Sequence, residues 1–143
     1  MRVIGICCLG LVLIAGITFA QAQEQIQPVG TMMEFMYSIV HPASNEILLT
    51  VNRGGPQNDK EWAAVQRSAV QLAESGNLLM MRGRARDQGE WLKDAKLLVD
   101  AGAAAYKAAK EKNATALTAA TGQIDASCVT CHKQYRPNVH PKQ

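Results

Sequence analysis

Five consecutive residues near the end of the chain carry the side chains best suited to chemistry: Cys128, Val129, Thr130, Cys131 and His132. On a helix, the two cysteines and the histidine share one face, so they can present two sulfurs and one imidazole to a flat ligand. The C-x-x-C-H spacing is typical of the attachment site of a c-type haem. It predicts one covalent haem c, attached through both cysteines, with His132 as the proximal iron ligand.

Three other uses of this pattern fit the sequence less well than a haem does. A redox C-x-x-C pair belongs near a βαβ pattern, and no strand pattern surrounds this one. A structural zinc site needs about four cysteine or histidine ligands, and only His41 and His140 could supplement the motif. A structural disulfide would leave His132 without a role. The pattern therefore favours haem over zinc or a disulfide.

The N-terminal residues 1–22 have the organisation of a secretory signal peptide. Arg2 supplies the positive charge, an uncharged apolar run follows, and Ala-Gln-Ala at 20–22 fits the cleavage rule. An uncleaved membrane anchor is the alternative, since the run is about long enough to span a bilayer. We predict cleavage, which leaves a periplasmic domain over 23–143 whose two remaining cysteines are those of the motif.

Length and charge limit the classes of function. A chain of 143 residues with a net charge of +3 fits one domain after the leader. No basic run or aromatic-interleaved patch points to nucleic acid, and nothing in the mature segment points to a membrane. The sequence therefore predicts neither a nucleic acid nor a membrane as a partner of the mature segment.

The composition and periodicity of the mature segment predict helices throughout. No proline lies between Gln57 and Arg136, and alanine, leucine, lysine, glutamate and glutamine are frequent there. Apolar residues recur at helical spacing, and no sustained alternation indicates a strand. We predict an all-α protein, an antiparallel four-helix bundle with the haem near its C-terminal helix. The last three helices are predicted from about Asp59 to Met81, Asp87 to Glu111 and Ala114 to Tyr135.

The first helix is predicted from residues ahead of this window. Thr31 is its predicted N-cap, and Glu34, three residues later, completes a capping box. Pro42 is expected to interrupt or kink this helix. A loop over 52–58 follows, because Gly54, Gly55 and Pro56 break helices.

The C-terminal ending carries a resemblance to a known family. Cys128-Val-Thr-Cys-His-Lys-Gln-Tyr-Arg136 is similar to the C-x-x-C-H-x-x-[YF]-[RK] ending of the class II cytochromes c, the cytochrome c′ family. The resemblance implies a four-helix bundle and two branches of function. In one branch a methionine of the first helix binds the iron as sixth ligand, and the protein carries single electrons. In the other the sixth position is open and the iron binds NO or CO.

The methionine-rich start of the first helix resembles the methionine-ligated branch. Met36 matches the family's ligand position best, followed by Met32 one turn earlier and then Met33. Methionines in an apolar stripe are also common core residues. His41 is a rival, because imidazole is a common axial ligand. His140 lies in a proline-flanked tail, where exposure to solvent is expected.

Two residues after the motif are expected to pack beside the haem. The resemblance implies that Tyr135 lies next to His132 and that Arg136 meets a propionate. Arg136 could equally provide a favourable positive charge at a helix C-terminus.

A periplasmic electron carrier with redox-partner proteins is the favoured function, and a gas-binding protein is the alternative. No distal acid–base pair suggests an enzyme. The family also implies that a homodimer is one option.

Overall fold

A computed structural model describes residues 27–138 of the chain, and all the secondary structure in this range is helical. The predicted signal peptide and His140 lie outside the described residues. Among residues 27–138, no helix is long and apolar enough to cross a membrane. The helical segments are α1 (Met32–Phe35), a π-helical turn (Met36–Val40), α2 (His41–Asn52), α3 (Asp59–Leu79), α4 (Glu90–Lys110) and α5 (Ala114–Tyr135).

The first three segments follow one another without a break, and together they are called the N-terminal helix here. The predicted capping box is confirmed at its start. Thr31 accepts a hydrogen bond from the Glu34 amide at 3.2 Å through its hydroxyl, and its own amide donates to the Glu34 carboxylate at 2.8 Å. These two bonds satisfy donors that have no partner within the first turn.

Pro42 does not end the N-terminal helix, but the helix widens just before it. Within the π turn, the His41 amide donates to the carbonyl of Met36, five residues earlier. A proline ring in an α-helix clashes with the carbonyl four residues before it, here that of Ser38, and cannot donate a hydrogen bond. The predicted interruption at Pro42 is therefore not found, because the helix continues through a π turn into α2.

The other helices begin close to the predicted positions because polar side chains cap them. Asn58 and Asn113 accept hydrogen bonds from amides in the first turns of α3 and α5, each at 3.0 Å. Helix α4 begins three residues later than predicted. The Asp87 carboxylate accepts from the amides of Gly89 and Trp91, at 2.8 and 3.1 Å, and so acts as a cap ahead of the helix.

Four helices pack against each other around one core. α3 lies along α4, α4 along α5, and the N-terminal helix contacts both α3 and α5. The fully buried core side chains include Ile47, Val65, Leu72, Leu117 and Ile124, together with several alanines. The core is thus built from all four helices, as the apolar stripes predicted.

Candidate haem-type pocket

One large cavity opens between the N-terminal helix, α4 and α5, and the last residue of α3 also reaches it. Its volume is about 450 Å³, within the ~300–1,000 Å³ range of small-molecule and cofactor sites. Its walls bring together residues that lie up to 100 positions apart in the sequence. The lining consists of Met36, Tyr37, Val40, His41, Ser44, Leu79, Trp91, Asp94, Ala95, Leu98, Ser127, Cys128, Cys131, His132 and Arg136.

One wall is formed by the C-x-x-C-H motif. Cys128, Cys131 and His132 lie on regular α-helix in the last turns of α5, and all three line the cavity. Both thiols are free and partly buried, and they pack against the core. The helical spacing therefore places two sulfurs and one imidazole along one side of a single cavity.

The environment of the two thiols favours their protonated form. Burial raises the pKa of Cys131 to about 11, and the nearby carboxylate of Asp94 and the Cys128 thiol add to the effect. Burial also raises the pKa of Cys128, although a hydrogen bond with Ser127 partly opposes it. Because the thiolate is the form that binds metal ions and attacks disulfides, these thiols are poorly suited to either at neutral pH.

Another part of the lining comes from the N-terminal helix at its π turn. Met36 opens this turn and His41 follows it, and both side chains line the cavity. In an α-helix, residues five apart point about 140° away from each other. The π turn closes after five residues instead of four, so it returns His41 toward the face that carries Met36.

The His41 ring is exposed and has two near neighbours. The amide nitrogen of Asn45 lies 3.2 Å from Nδ1 and 3.4 Å from Nε2. The ring of Tyr37 is tilted against it, with 6.2 Å between the ring centroids. His41 therefore sits at the rim of the cavity, between solvent and the interior.

Not every predicted residue lines this cavity. Met33 is 67% exposed. Met32 lines a second, smaller cavity of about 300 Å³, between the residues before α1 and the loop that contains Arg84. The Arg84 guanidinium lies 4.3 Å above the ring of Phe35, a cation–π contact that fixes this loop on the N-terminal helix. Of Met32, Met33 and Met36, only Met36 lines the cavity that the motif lines.

Tyr135 lies at the edge of the site rather than in its lining. Its hydroxyl donates to the Asp87 carboxylate, and its ring packs edge-on against Trp91 with centroids 4.8 Å apart. The indole of Trp91 donates to the carbonyl of Leu79 at 2.8 Å. Asp87, Trp91 and Tyr135, called the rim cluster here, thus tie the last turn of α5 to the start of α4 and the end of α3. Arg136 follows directly and lines the cavity.

Asp94 is a cavity residue that the sequence motifs do not single out. This carboxyl group is only 6% exposed and lines the cavity, and burial followed by the charges of Glu90 and Asp87 raises its pKa. A signal was present in the sequence, because Asp94 lies three residues after Trp91 and four before Leu98, within the apolar stripe of α4. An acidic residue in such a stripe points into the core or into a site.

Comparisons with known proteins do not identify the site, so its own geometry is the evidence for its role. The chain matches no protein-family model, no curated protein and no solved structure. Within residues 27–138, no three side chains among histidine, cysteine, aspartate and glutamate are grouped so as to hold a metal ion.

Proposed function

We propose that this protein is an exported c-type cytochrome that carries single electrons on one covalently attached haem. The observation that carries the proposal is the cavity wall in which Cys128, Cys131 and His132 lie side by side on α5. When bound, the haem supplies one-electron iron chemistry, and Cys128 and Cys131 would hold it through thioether bonds.

The other walls also suit a flat apolar group with charged edges. Val40, Ala95 and Leu98 supply apolar surface, and the indole of Trp91 is already hydrogen-bonded to a backbone carbonyl. Arg136 would place a guanidinium where a propionate can meet it. The cavity also explains why an alanine-rich core suffices here, because the haem would add apolar volume that the side chains do not supply.

The four packed helices would form an antiparallel bundle. Residues 53–58 separate α2 from α3, residues 80–89 separate α3 from α4, and only residues 111–113 separate α4 from α5. Such short connections join helices that run in opposite directions in up-down-up-down bundles. The site would then lie at the end of the bundle where α5 terminates.

Met36 would provide the sixth ligand on the face opposite His132. It is the methionine of the first helix that lines the cavity, and thioether–imidazole ligation occurs in cytochromes that carry electrons. Saturated iron leaves no position for a substrate, so the chain would exchange electrons with partner proteins and perform no catalysis.

The first test is a visible absorption spectrum of the exported, matured protein in both oxidation states, before and after CO. A low-spin reduced spectrum that CO leaves unchanged supports the electron carrier. A high-spin spectrum that shifts on addition of CO would contradict Met36 ligation and move the protein to the gas-binding alternative.

Matched variants make the test residue-specific. Cys128→Ser with Cys131→Ser is expected to abolish covalent haem, measured as haem stain on a denaturing gel. Met36→Ala is expected to change the low-spin spectrum of the reduced protein, whereas Met33→Ala, on an exposed side chain, should leave that spectrum as it is in the wild type. A colourless wild-type protein after maturation would end the proposal.

A further inference from the structure

We propose that His41 is a second distal iron ligand, which replaces Met36 when the iron is oxidised. The inference rests on the proposed function, since it concerns the same haem. It is carried by the π turn, which brings two different candidate ligands, five residues apart, to the cavity that His132 also lines.

The backbone geometry is the first step. Residues at positions 36 and 41 would face different directions on a regular α-helix. The π turn over Met36–Val40, closed by the bond from the His41 amide to the Met36 carbonyl, reduces that difference. Single π turns inside α-helices occur frequently at functional sites. Both side chains consequently line one cavity.

The position of the His41 ring is the second step. The ring is exposed at the rim, and its described neighbours are the side chains of Tyr37 and Asn45. A rim position lets the imidazole turn inward without repacking the core. The Asn45 amide can donate to an unprotonated ring nitrogen or accept from a protonated one, so it can orient the ring before and after such a turn.

The ligand chemistry gives the direction of the exchange. The thioether of methionine is a soft ligand that favours ferrous iron, whereas imidazole suits both oxidation states. Oxidation passes one electron from the iron to a partner protein. In the oxidised protein the His41 imidazole would hold the iron in place of the Met36 thioether, so that one donor lone pair replaces another.

The test compares four matured proteins in the ferric state by low-temperature electron paramagnetic resonance: wild type, Met36→Ala, His41→Ala and the double variant. Met36→Ala is expected to be low-spin with the signature of two axial imidazoles, and the double variant high-spin. If Met36→Ala is as high-spin as the double variant, His41 cannot reach the iron and the inference is wrong.

A kinetic measurement tests the exchange itself and does not depend on the folding of Met36→Ala. After rapid oxidation of the ferrous wild type, the spectrum should change in two phases, and His41→Ala should lose the slower one. Identical single-phase traces would overturn the exchange. In that case, methionine ligation in both oxidation states would leave the electron-carrier proposal intact, whereas a wild type without haem would end both.

Discussion

Two sides of the helical bundle differ in how densely they are packed. Between α3 and α4 the backbones touch: a methyl group at Gly102 would lie 2.6 Å from the Ala73 amide nitrogen, and one at Gly76 would lie 2.6 Å from a methyl of Val99. Between the N-terminal helix, α4 and α5, the same bundle leaves a cavity of about 450 Å³. Helix α4 belongs to both sides.

Helix α4 contributes to dense packing on one face and to the cavity on the neighbouring face. Small residues on one face of α4 allow close approach and dense packing, which stabilises the fold. The neighbouring face carries Trp91, Asp94 and Leu98 toward the cavity. The close-packed side should therefore respond to added volume by losing stability, and the open side by losing its ligand.

Gly102→Ala is expected to have the largest effect on stability. Its methyl group would meet the backbone of Ala73, which cannot rotate away, so the free energy of unfolding should fall by about 1–3 kcal/mol. Gly122→Ala is the matched control, because Gly122 on α5 has open space around it. The control should gain about 0.5–1 kcal/mol from better helix propensity. Denaturant unfolding of both variants measures the contrast, and equal shifts would contradict it.

Ala95→Leu adds volume to α4 on the cavity side. Ala95 lines the cavity, so the larger side chain can enter open space, and the unfolding free energy should change by less than about 1.5 kcal/mol. The expected loss is in haem content, measured as haem absorbance per protein after maturation. Val70→Leu, at a position that is 42% exposed on α3, should retain normal haem content. Full haem content in Ala95→Leu would show that the cavity is not the haem site.

Asp94→Asn tests the cost of a charge in the cavity wall. The folded pKa of Asp94 lies above its unfolded value, so the wild type loses stability as pH rises from the unfolded pKa through the folded one. Removing the charge should raise the unfolding free energy of the haem-free protein at pH 7 by roughly 1 kcal/mol. Asp100→Asn, on the exposed face of α4, should change it by less than about 0.5 kcal/mol. A loss of stability in Asp94→Asn would contradict this account.

Asp87→Asn should have the smallest effect, because the Asp87 side chain is exposed to solvent. The Tyr135 hydroxyl, then the amides of Trp91 and Gly89, hold the pKa of Asp87 below its usual value. Its stabilisation is present above the unfolded pKa and is lost as pH falls through the folded one. Asp87→Asn should therefore flatten the acid side of the stability curve, below about pH 4.

The control for the rim cluster is Tyr135→Phe, which keeps the ring packed on Trp91 and removes the hydroxyl. The pKa of Asp87, measured by nuclear magnetic resonance, should rise in this variant, because the largest cause of its depression is gone. An unchanged pKa would show that the backbone amides hold the carboxylate by themselves.

Much of the fold was predictable from local signals. A few neighbouring residues are enough to predict three features that the structure confirms: the capping box at Thr31, the cap at Asn113 and the extent of α5. The predicted start of α4 at Asp87 is three residues too early, because the Asp87 carboxylate caps the amides of Gly89 and Trp91 instead of joining the helix.

The site was predictable only in part. Spacing placed Cys128, Cys131 and His132 on one helical face, and these three do line one cavity. Spacing could not rank the methionines, because Met32 and Met36 are one turn apart and a small change in helix rotation decides which one faces α5. The structure places Met36 in this cavity and Met32 in another.

The sequence by itself determined which chemistry the chain offers: two thiols and an imidazole at helical spacing, in helices whose ends are set by caps and glycines. The tertiary structure alone decided which other residues line the cavity beside these two thiols and the imidazole. A π turn directly precedes Pro42 in the N-terminal helix. Together with the packing of this helix on α5, the turn places Met36 and His41 in the lining of one cavity. Hydrogen bonds within one turn fix local structure, but contacts across 90 residues depend on how four helices share one core.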